Sequence, residues 1–270
     1  MASLPDQYTI GDLLDRILAA LAAAGHDLDP LDPEALAPVE DFHTLGRAAT
    51  VALADAAAIT AEDRVLDLGS GIGGPSRFLA RTYGCRVDGI DLTPEFQAVS
   101  EDLSRRTGLD GLVTAHVGDA TATPFADGAF DVVWTQHVAM NIEDKAGLYV
   151  EARRVLRPGG RLAFFDIMAG PEQPLHFPVP WADTPDLSFL VPPDEVRARV
   201  ERAGFRVDLW LDLSEDAIGF FEALAAGPPP SASPVNLSLL IPDFPTKAGN
   251  LVQNFREDRT RLVRAVATAV

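Results

Sequence analysis

The chain has 270 residues, 47% of them hydrophobic and 23% charged, with a formal net charge of −18 at pH 7. This length fits one large α/β domain with a cap, and the acidic charge argues against nucleic acid or an anionic membrane as partner, because both favour a basic surface. No apolar run reaches the roughly 18 residues that cross a bilayer, and the N-terminus lacks the basic region of a signal peptide. We therefore expect a cytoplasmic protein that acts on a small molecule.

Cysteine and acidic patterns argue against a metal site. The single cysteine, Cys85, excludes an intrachain disulfide and a cysteine-based zinc cage, and it suits a small apolar position in a strand. Paired acidic residues that could hold a metal are also missing at the end of the strand predicted at 130–135. We expect no metal.

Apolar periodicity changes near residue 60. Helices are predicted over 10–24 and 44–58, joined by a Pro/Asp-rich connector. Beyond them, strands are predicted at 64–68, 86–91, 112–117, 130–135, 161–167, 205–211 and 261–269, and helices at 75–83, 93–106, 145–156, 194–203, 214–226 and 244–254. A tight turn is expected at 158–160. This alternation predicts a mostly parallel sheet covered on both faces.

We expect an organisation of two parts. Residues 1–60 would form a helical cap, and residues 61–270 the main domain. The proline-rich stretch 170–193 is too long for a plain connection, so segments 168–193 and 214–258 are expected to cover a substrate. Residues 227–234 are expected to form an exposed loop.

A glycine turn follows the first predicted strand. Gly69, Gly71 and Gly74 satisfy the G-x-G-x-x-G dinucleotide pattern, so the glycines alone do not name a ligand. Asp67, two residues before the first glycine, would repel a pyrophosphate there. Its charge suits a ligand that is positive at this turn. S-adenosylmethionine is such a ligand, through its α-ammonium and its sulfonium.

Five motifs follow one another in a recognisable order, at 65–73, 89–92, 118–120, 130–133 and 157–160. Over residues 66–167 they resemble the class I S-adenosylmethionine-dependent methyltransferases. Segments 42–50, 134–137 and 140–142 resemble the small-molecule branch, which includes sarcosine/dimethylglycine, phosphoethanolamine and tocopherol-type enzymes. The resemblance implies a Rossmann-like, doubly wound sheet of seven strands, mostly parallel with an antiparallel last strand, under an α-helical N-terminal cap.

The resemblance also assigns a cofactor site for S-adenosyl-L-methionine. The glycine turn would let the backbone approach the methionine part, and Asp91 would accept both ribose hydroxyls. Leu92 would pack on the adenine, while Asp119, which could instead be only a turn residue, would accept from its amino group. Gln136 would reach the methionine end. The candidate cofactor residues are Phe42, His43, Asp67, Gly69, Ser70, Gly71, Gly73, Asp91, Leu92, Asp119, Ala120 and Gln136.

His137 is the candidate catalytic residue, because the resemblance places it opposite the transferred methyl. It could take a proton from the acceptor, or only position it. The candidate substrate residues are Tyr8, Asn141, Asp166, His176 and Trp181. Tyr8 would act as a lid, and Trp181 with His176 would form an aromatic wall to which Trp134 and Phe189 contribute, unless these two belong to the core. Asp166 could instead be a loop-start residue, and His43 with Phe42 a plain helix start.

The expected reaction is transfer of the sulfonium methyl to a small-molecule N, O or C nucleophile, in natural-product or small-metabolite biosynthesis. A fold relative that binds the cofactor and catalyses a cyclisation or rearrangement is the main alternative. An NAD-dependent oxidoreductase and a non-catalytic subunit are two further alternatives. The C-terminal helices could form a homodimer interface.

Overall fold

The computed structural model describes residues 8–226 and 233–270. The strands are β1 (Arg64–Leu68), β2 (Arg86–Asp91), β3 (Val113–Val117), β4 (Phe130–Gln136), β5 (Leu156–Ala169), β6 (Phe205–Asp212) and β7 (Thr260–Ala269). They form one sheet in the order β3-β2-β1-β4-β5-β7-β6. Neighbours from β3 to β5 pair in parallel, whereas β7 runs antiparallel to both β5 and β6. The predicted sheet with an antiparallel last strand is confirmed.

Helices connect the strands and precede the sheet. They are α1 (Leu13–Ala23), α2 (Ala37–Glu40), α3 (Gly46–Ala57), α4 (Gly74–Tyr83), α5 (Pro94–Arg106), α6 (Lys145–Val155), α7 (Pro193–Arg202), α8 (Ser214–Ala226) and α9 (Phe244–Arg256). Proline in the first turn begins α4, α5 and α9, where a missing N–H removes no helical hydrogen bond. At the start of α6 the Asp144 side chain accepts from the Gly147 N–H. Among the described residues, no helix combines the length and apolarity required to cross a membrane.

Both faces of the sheet are buried, as predicted. Val65, Leu66 and Leu68 of β1 are fully buried, which is typical of a strand covered on both sides. One face packs against α3 and α4 and the other against α6 and α7. A third apolar cluster joins α1 to α5, so the N-terminal helix is attached at one edge of the parallel region.

Three local predictions differ from the structure. Helix α1 begins at Leu13, not residue 10, because Gly11 has a φ of 94° and the Glu95 carboxylate accepts the N–H groups before the helix. The connector before residue 38 is partly helical, since Asp32 caps a 3-10 turn that continues into α2. Strand β5 begins at Leu156, but pairing resumes with Arg161 opposite Val132, so residues 157–160 bulge out at the predicted turn. Most of the predicted loop 227–234 lies outside the described residues.

Candidate active site

The loop after β1 depends on glycine for two different reasons. A Cβ at Gly69 (φ 72°) would lie 2.4 Å from a methyl carbon of Val138, so this glycine permits a close approach between two loops. A Cβ at Gly71 (φ 53°) would meet nothing within 4 Å, and this residue lies on a cavity wall. Gly73 is different: it does not line the cavity, and a Cβ there would lie 2.2 Å from Oγ of Ser100. Packing of α4 against α5, not approach to a cofactor, therefore explains Gly73.

A first cavity of about 150 Å³ lies at the carboxyl ends of β1, β2 and β4. Parallel open sheets bind ligands at this edge. Of the predicted site residues, the first cavity brings together Tyr8, Phe42, His43, Asp67, Gly69, Ser70, Gly71, Asp91, Leu92, Asp119, Ala120, Gln136, His137 and Asn141. All of the predicted cofactor residues except Gly73 therefore line the first cavity.

Asp91 is fixed by backbone donors. One carboxylate oxygen accepts from the Gly71 N–H at 3.1 Å and the other from the Thr93 N–H at 2.8 Å. Burial raises the pKa of Asp91, and these hydrogen bonds oppose the rise. Each oxygen of a carboxylate can accept two hydrogen bonds, so both retain capacity for a pair of hydroxyls in the cavity.

Asp67 is a buried carboxyl whose surroundings favour a cation. Its side chain is 2% exposed and accepts from Oγ of Ser76 at 2.6 Å. Burial raises the pKa of Asp67 to about 7, and the nearby Asp91 contributes to the rise. A positive group in the cavity would stabilise the charged form, so this residue fits the ammonium of S-adenosylmethionine.

Gln136 carries an unpartnered donor. Its Oε1 accepts from Nε1 of Trp134 at 3.1 Å and from Oγ1 of Thr50 at 3.3 Å. Its Nε2 is buried and has no hydrogen-bond partner among the described residues. A buried donor without a partner costs about 1–3 kcal/mol, and a cofactor carboxylate would satisfy it. The residues present therefore fit the ammonium and the carboxylate of the methionine part of S-adenosylmethionine.

The end of the first cavity that was expected to receive the adenine combines a turn and an exposed apolar side chain. Asp119 Oδ1 accepts from the N–H and the hydroxyl of Thr121, so Asp119 stabilises a turn while it lines the cavity. Leu92 is 40% exposed beside it, which leaves an apolar surface for a flat ring. The two interpretations of Asp119 are therefore compatible.

A second cavity, of about 520 Å³, adjoins the first. Both are lined by Tyr8, Phe42, His43 and His137, so these four side chains form the junction between them. The second cavity also contains Trp181 and Met140, and its outer wall comes from α8, α9 and residues 233–237. All three lie within segment 214–258, which was expected to cover a substrate, although none of their cavity-lining residues was named as a candidate.

His137 lies at the junction with an available nitrogen. Its backbone has a φ of 55°, and its N–H donates to the Phe165 carbonyl at 2.8 Å. Its ring stacks on the Phe165 ring, with centroids 5.2 Å apart, while Nε2 is buried without a partner among the described residues. Burial, with His43 nearby, holds the pKa of His137 well below its ordinary value. The imidazole is therefore neutral near pH 7, and burial makes it a weaker base than an exposed histidine.

The ring of His43 already has hydrogen-bond partners in the N-terminal segment. Its Nε2 lies 3.0 Å from the Gly46 carbonyl and 2.8 Å from Oγ1 of Thr50, which donates to Gln136. The carbonyl can only accept, so Nε2 carries the proton. Burial lowers the pKa of His43 to about 4. His43 thus joins the start of α3 to β4 while its ring lines both cavities.

Tyr8, Asn141 and Trp181 form one hydrogen-bonded group. The Tyr8 hydroxyl donates to Oδ1 of Asn141 at 3.1 Å, and Nδ2 of Asn141 donates to the Trp181 carbonyl at 2.8 Å. Burial raises the pKa of Tyr8. The N-terminal segment is therefore attached to the proline-rich segment 170–193 above the sheet.

Two predicted substrate residues lie outside both cavities. Asp166 is buried within β5, not after it, and accepts from the Ala139 N–H at 2.9 Å. His176 pairs with Glu257 at 2.7 Å and is partly exposed. Trp134 and Phe189 do not line the cavities either, and Trp134 is a fully buried core residue. Of the proposed aromatic wall, the structure brings only Trp181 to a cavity.

Residues 66–164 match the family model described as a methyltransferase domain. This region, which is less than half of the chain, is therefore similar to methyltransferases. The glycine/sarcosine/dimethylglycine N-methyltransferase of Actinopolyspora halophila is 35% identical over 66% of this chain and 32% of that protein. The matches to the first curated relatives span only 32% to 50% of those relatives' lengths.

Solved structures share the whole fold at low identity. The geranyl diphosphate C-methyltransferase of Streptomyces coelicolor has a TM-score of 0.71 and 20% identity, covering 98% of this chain and 95% of that one. The [4+2]-cyclase SpnF has a TM-score of 0.69 and 20% identity, covering 99% and 97%. These similarities show that this chain has the same fold as each of the two proteins.

Proposed function

We propose that this chain transfers the methyl group of S-adenosylmethionine to a small-molecule nitrogen, oxygen or carbon nucleophile. The first cavity would hold the cofactor and the second the acceptor. The observation that carries the proposal is their junction, where His137 lines both cavities with an unpartnered Nε2. A donor and an acceptor bound in the two cavities would meet at this nitrogen.

The cofactor, when bound, supplies an electrophilic methyl group on a sulfonium. Asp91 would hold the ribose, Asp67 the ammonium and Gln136 the carboxylate. Holding both reactants in line and excluding water supplies roughly 7–11 kcal/mol of the barrier reduction in such reactions. Where the acceptor must lose a proton as it bonds to carbon, Nε2 of His137 takes that proton.

Several broader attributes belong to the same proposal. We propose that the protein acts in small-metabolite or natural-product biosynthesis in the cytoplasm, with residues 1–60 as its cap. The net negative charge supports the proposal that nucleic acid is not a partner of this protein. A homodimer through the C-terminal helices is a further proposal, and size-exclusion chromatography with light scattering tests it.

A cyclisation or rearrangement without methyl transfer is the second candidate. The similarity to the cyclase SpnF favours it, since that protein has the same fold over its whole length. The cofactor residues are compatible with both candidates. Mass spectrometry of the product separates them, because only methyl transfer adds 14 mass units and releases S-adenosylhomocysteine.

Isothermal titration with S-adenosylmethionine, S-adenosylhomocysteine and NAD in parallel tests the cofactor assignment. Micromolar binding of the first two without binding of NAD is expected. Binding of NAD alone would overturn the assignment and favour an oxidoreductase. Binding of none of them would contradict an open cofactor site and favour a non-catalytic subunit.

A further inference from the structure

The outer wall of the second cavity is apolar and largely aromatic. Two C-terminal helices, α8 and α9, contribute most of it, with the side chains Phe220, Phe221, Leu224, Phe244, Ala248 and Leu251. Trp181, Met140 and Ile167 extend the apolar surface inwards towards His137. A cavity of about 520 Å³ lies within the range of roughly 300–1,000 Å³ that holds drug-sized ligands. The wall therefore favours a large hydrophobic occupant.

The second cavity offers no available charge to an occupant. Among the described residues that line it, none is lysine or arginine, and the carboxylate there is Asp41. Both oxygens of Asp41 accept from Nε of Arg47, at 2.9 and 3.1 Å. Arg47 also lies 3.5 Å from Glu40 and 3.8 Å from Glu34, and these two pair in turn with Arg77 and Arg81, so three guanidinium groups balance three carboxylates. An anionic head group would find no cation, and an ammonium would have to compete with a guanidinium already in place.

The geometry points to a bulky, apolar and uncharged methyl acceptor, bound along α8 and α9 with its reacting atom at His137. The inference rests on the proposed function, because it names the substrate class of the same site. A charged group buried without a partner is strongly disfavoured, so amino acids and free diphosphates fit this wall poorly. A hydroxyl or other neutral nucleophile on a hydrophobic skeleton fits it well.

Matched probes test the charge and polarity of the cavity. The protein, saturated with S-adenosylhomocysteine, is titrated with N-phenyl-1-naphthylamine, a neutral dye whose fluorescence rises in apolar surroundings. Decanol, decanoate and decylamine then compete at pH 7.5, since they share one tail and carry neutral, anionic and cationic heads. We expect decanol to displace the dye at a concentration at least tenfold lower than either charged ligand. Equal or better displacement by decanoate or decylamine would overturn the inference.

Two substitutions locate the dye. Ala248→Asp places a carboxylate on the cavity wall, whereas Ala223→Asp changes an exposed position of α8 that lines neither cavity. We expect the first to weaken dye binding at least tenfold and the second to leave it unchanged. Equal effects, or no dye binding by the unmodified protein, would refute the apolar acceptor site. Titration with S-adenosylhomocysteine alone distinguishes failure of the apolar acceptor site from failure of the proposed methyl transfer. If the unmodified protein does not bind S-adenosylhomocysteine, the proposed function itself is contradicted.

Discussion

The rings of His43 and His137 meet edge to face at the junction of the two cavities, with centroids 6.2 Å apart. Their ring nitrogens differ in hydrogen bonding. His43 Nε2 donates to the Gly46 carbonyl, whereas His137 Nε2 has no partner among the described residues. Both pKa values are lowered by burial, so neither ring carries charge near neutral pH. Only His137 therefore presents a nitrogen that could serve as the proposed base, although burial makes it a weaker base than an exposed histidine.

Replacement of His137 tests this role. Asparagine is the suitable substitute, because it tolerates the left-handed backbone of φ 55° better than most residues. For an acceptor that must lose a proton, we expect His137→Asn to lower kcat by about 10²–10⁴-fold and to change the Kd of S-adenosylhomocysteine by less than about threefold. Single-turnover assays and isothermal titration measure the two quantities.

The alternative for His137 is positioning alone. In that case His137→Asn would raise KM for the acceptor and leave kcat nearly unchanged. A large loss of cofactor affinity would contradict both roles, because it would place the ring against the cofactor. Unfolding in urea provides the control that the variant retains its fold.

Asp91 is expected to control cofactor affinity. In Asp91→Asn one carboxylate oxygen becomes an amide nitrogen that cannot accept a hydrogen bond. Either the Gly71 or the Thr93 N–H then loses its acceptor, and one ribose hydroxyl would lose its charged acceptor in the complex. Hydrogen bonds to charged groups contribute about 1.5–3 kcal/mol each, so we expect the Kd of S-adenosylhomocysteine to rise about 10- to 100-fold. Asp88→Asn is the matched control, since Asp88 lies on the same strand and pairs with Arg64 outside both cavities. Unchanged affinity in Asp91→Asn would refute the ribose assignment.

Much of the cofactor site follows from local pattern. The apolar strand 65–68 and the glycine turn after it predict where β1 ends. The ends of the apolar runs in β2 and β4 likewise locate Asp91 and Gln136 at the ends of their strands. In a parallel sheet those ends share one edge, so the residues meet without further information. Local pattern therefore predicted that Asp67, Asp91 and Gln136 meet at the first cavity, whereas the other candidates came from the family resemblance.

Contacts distant in sequence decided what the pattern could not. Asp166 was expected to bind substrate or to start a loop, but it pairs with Val263 of β7 inside β5, which extends to Ala169. The outer wall of the second cavity likewise depends on how α8 and α9 pack, so segment 214–258 could be expected to cover a substrate while its cavity-lining residues could not be named. Gly73 fits the motif, yet its requirement comes from Ser100 on another helix.

Asp166 is expected to support the segment after His137 without contacting substrate. Its carboxyl accepts from the Ala139 N–H, and Nζ of Lys145 donates to the Ala139 carbonyl, so both sides of that residue are held. Asp166→Ala would leave a buried N–H without an acceptor and lower the free energy of unfolding by about 1–3 kcal/mol. Urea denaturation measures this. Unchanged stability with a raised KM for the acceptor would instead support the substrate role that the sequence suggested.

Cofactor binding should depend on pH through Asp67. In the free protein the pKa of Asp67 is raised to about 7, mainly by burial. An ammonium beside the carboxylate would lower that pKa in the complex, so binding favours the charged form. As the pH falls below 7, binding must release a proton, and the Kd of S-adenosylhomocysteine should rise towards tenfold per pH unit; above 7 it should level off.

Isothermal titration between pH 5.5 and 8 measures the profile, and buffers of different ionisation enthalpy report the proton released. Asp67→Asn removes the titrating group, so its profile should be flat and its affinity at pH 8 lower. Asp119→Asn alters another carboxylate of the first cavity and should keep the slope of the unmodified protein. A flat profile in the unmodified protein would mean that no cation binds beside Asp67. The charge argument for S-adenosylmethionine over NAD would then fail, because it requires a positive group at this carboxylate.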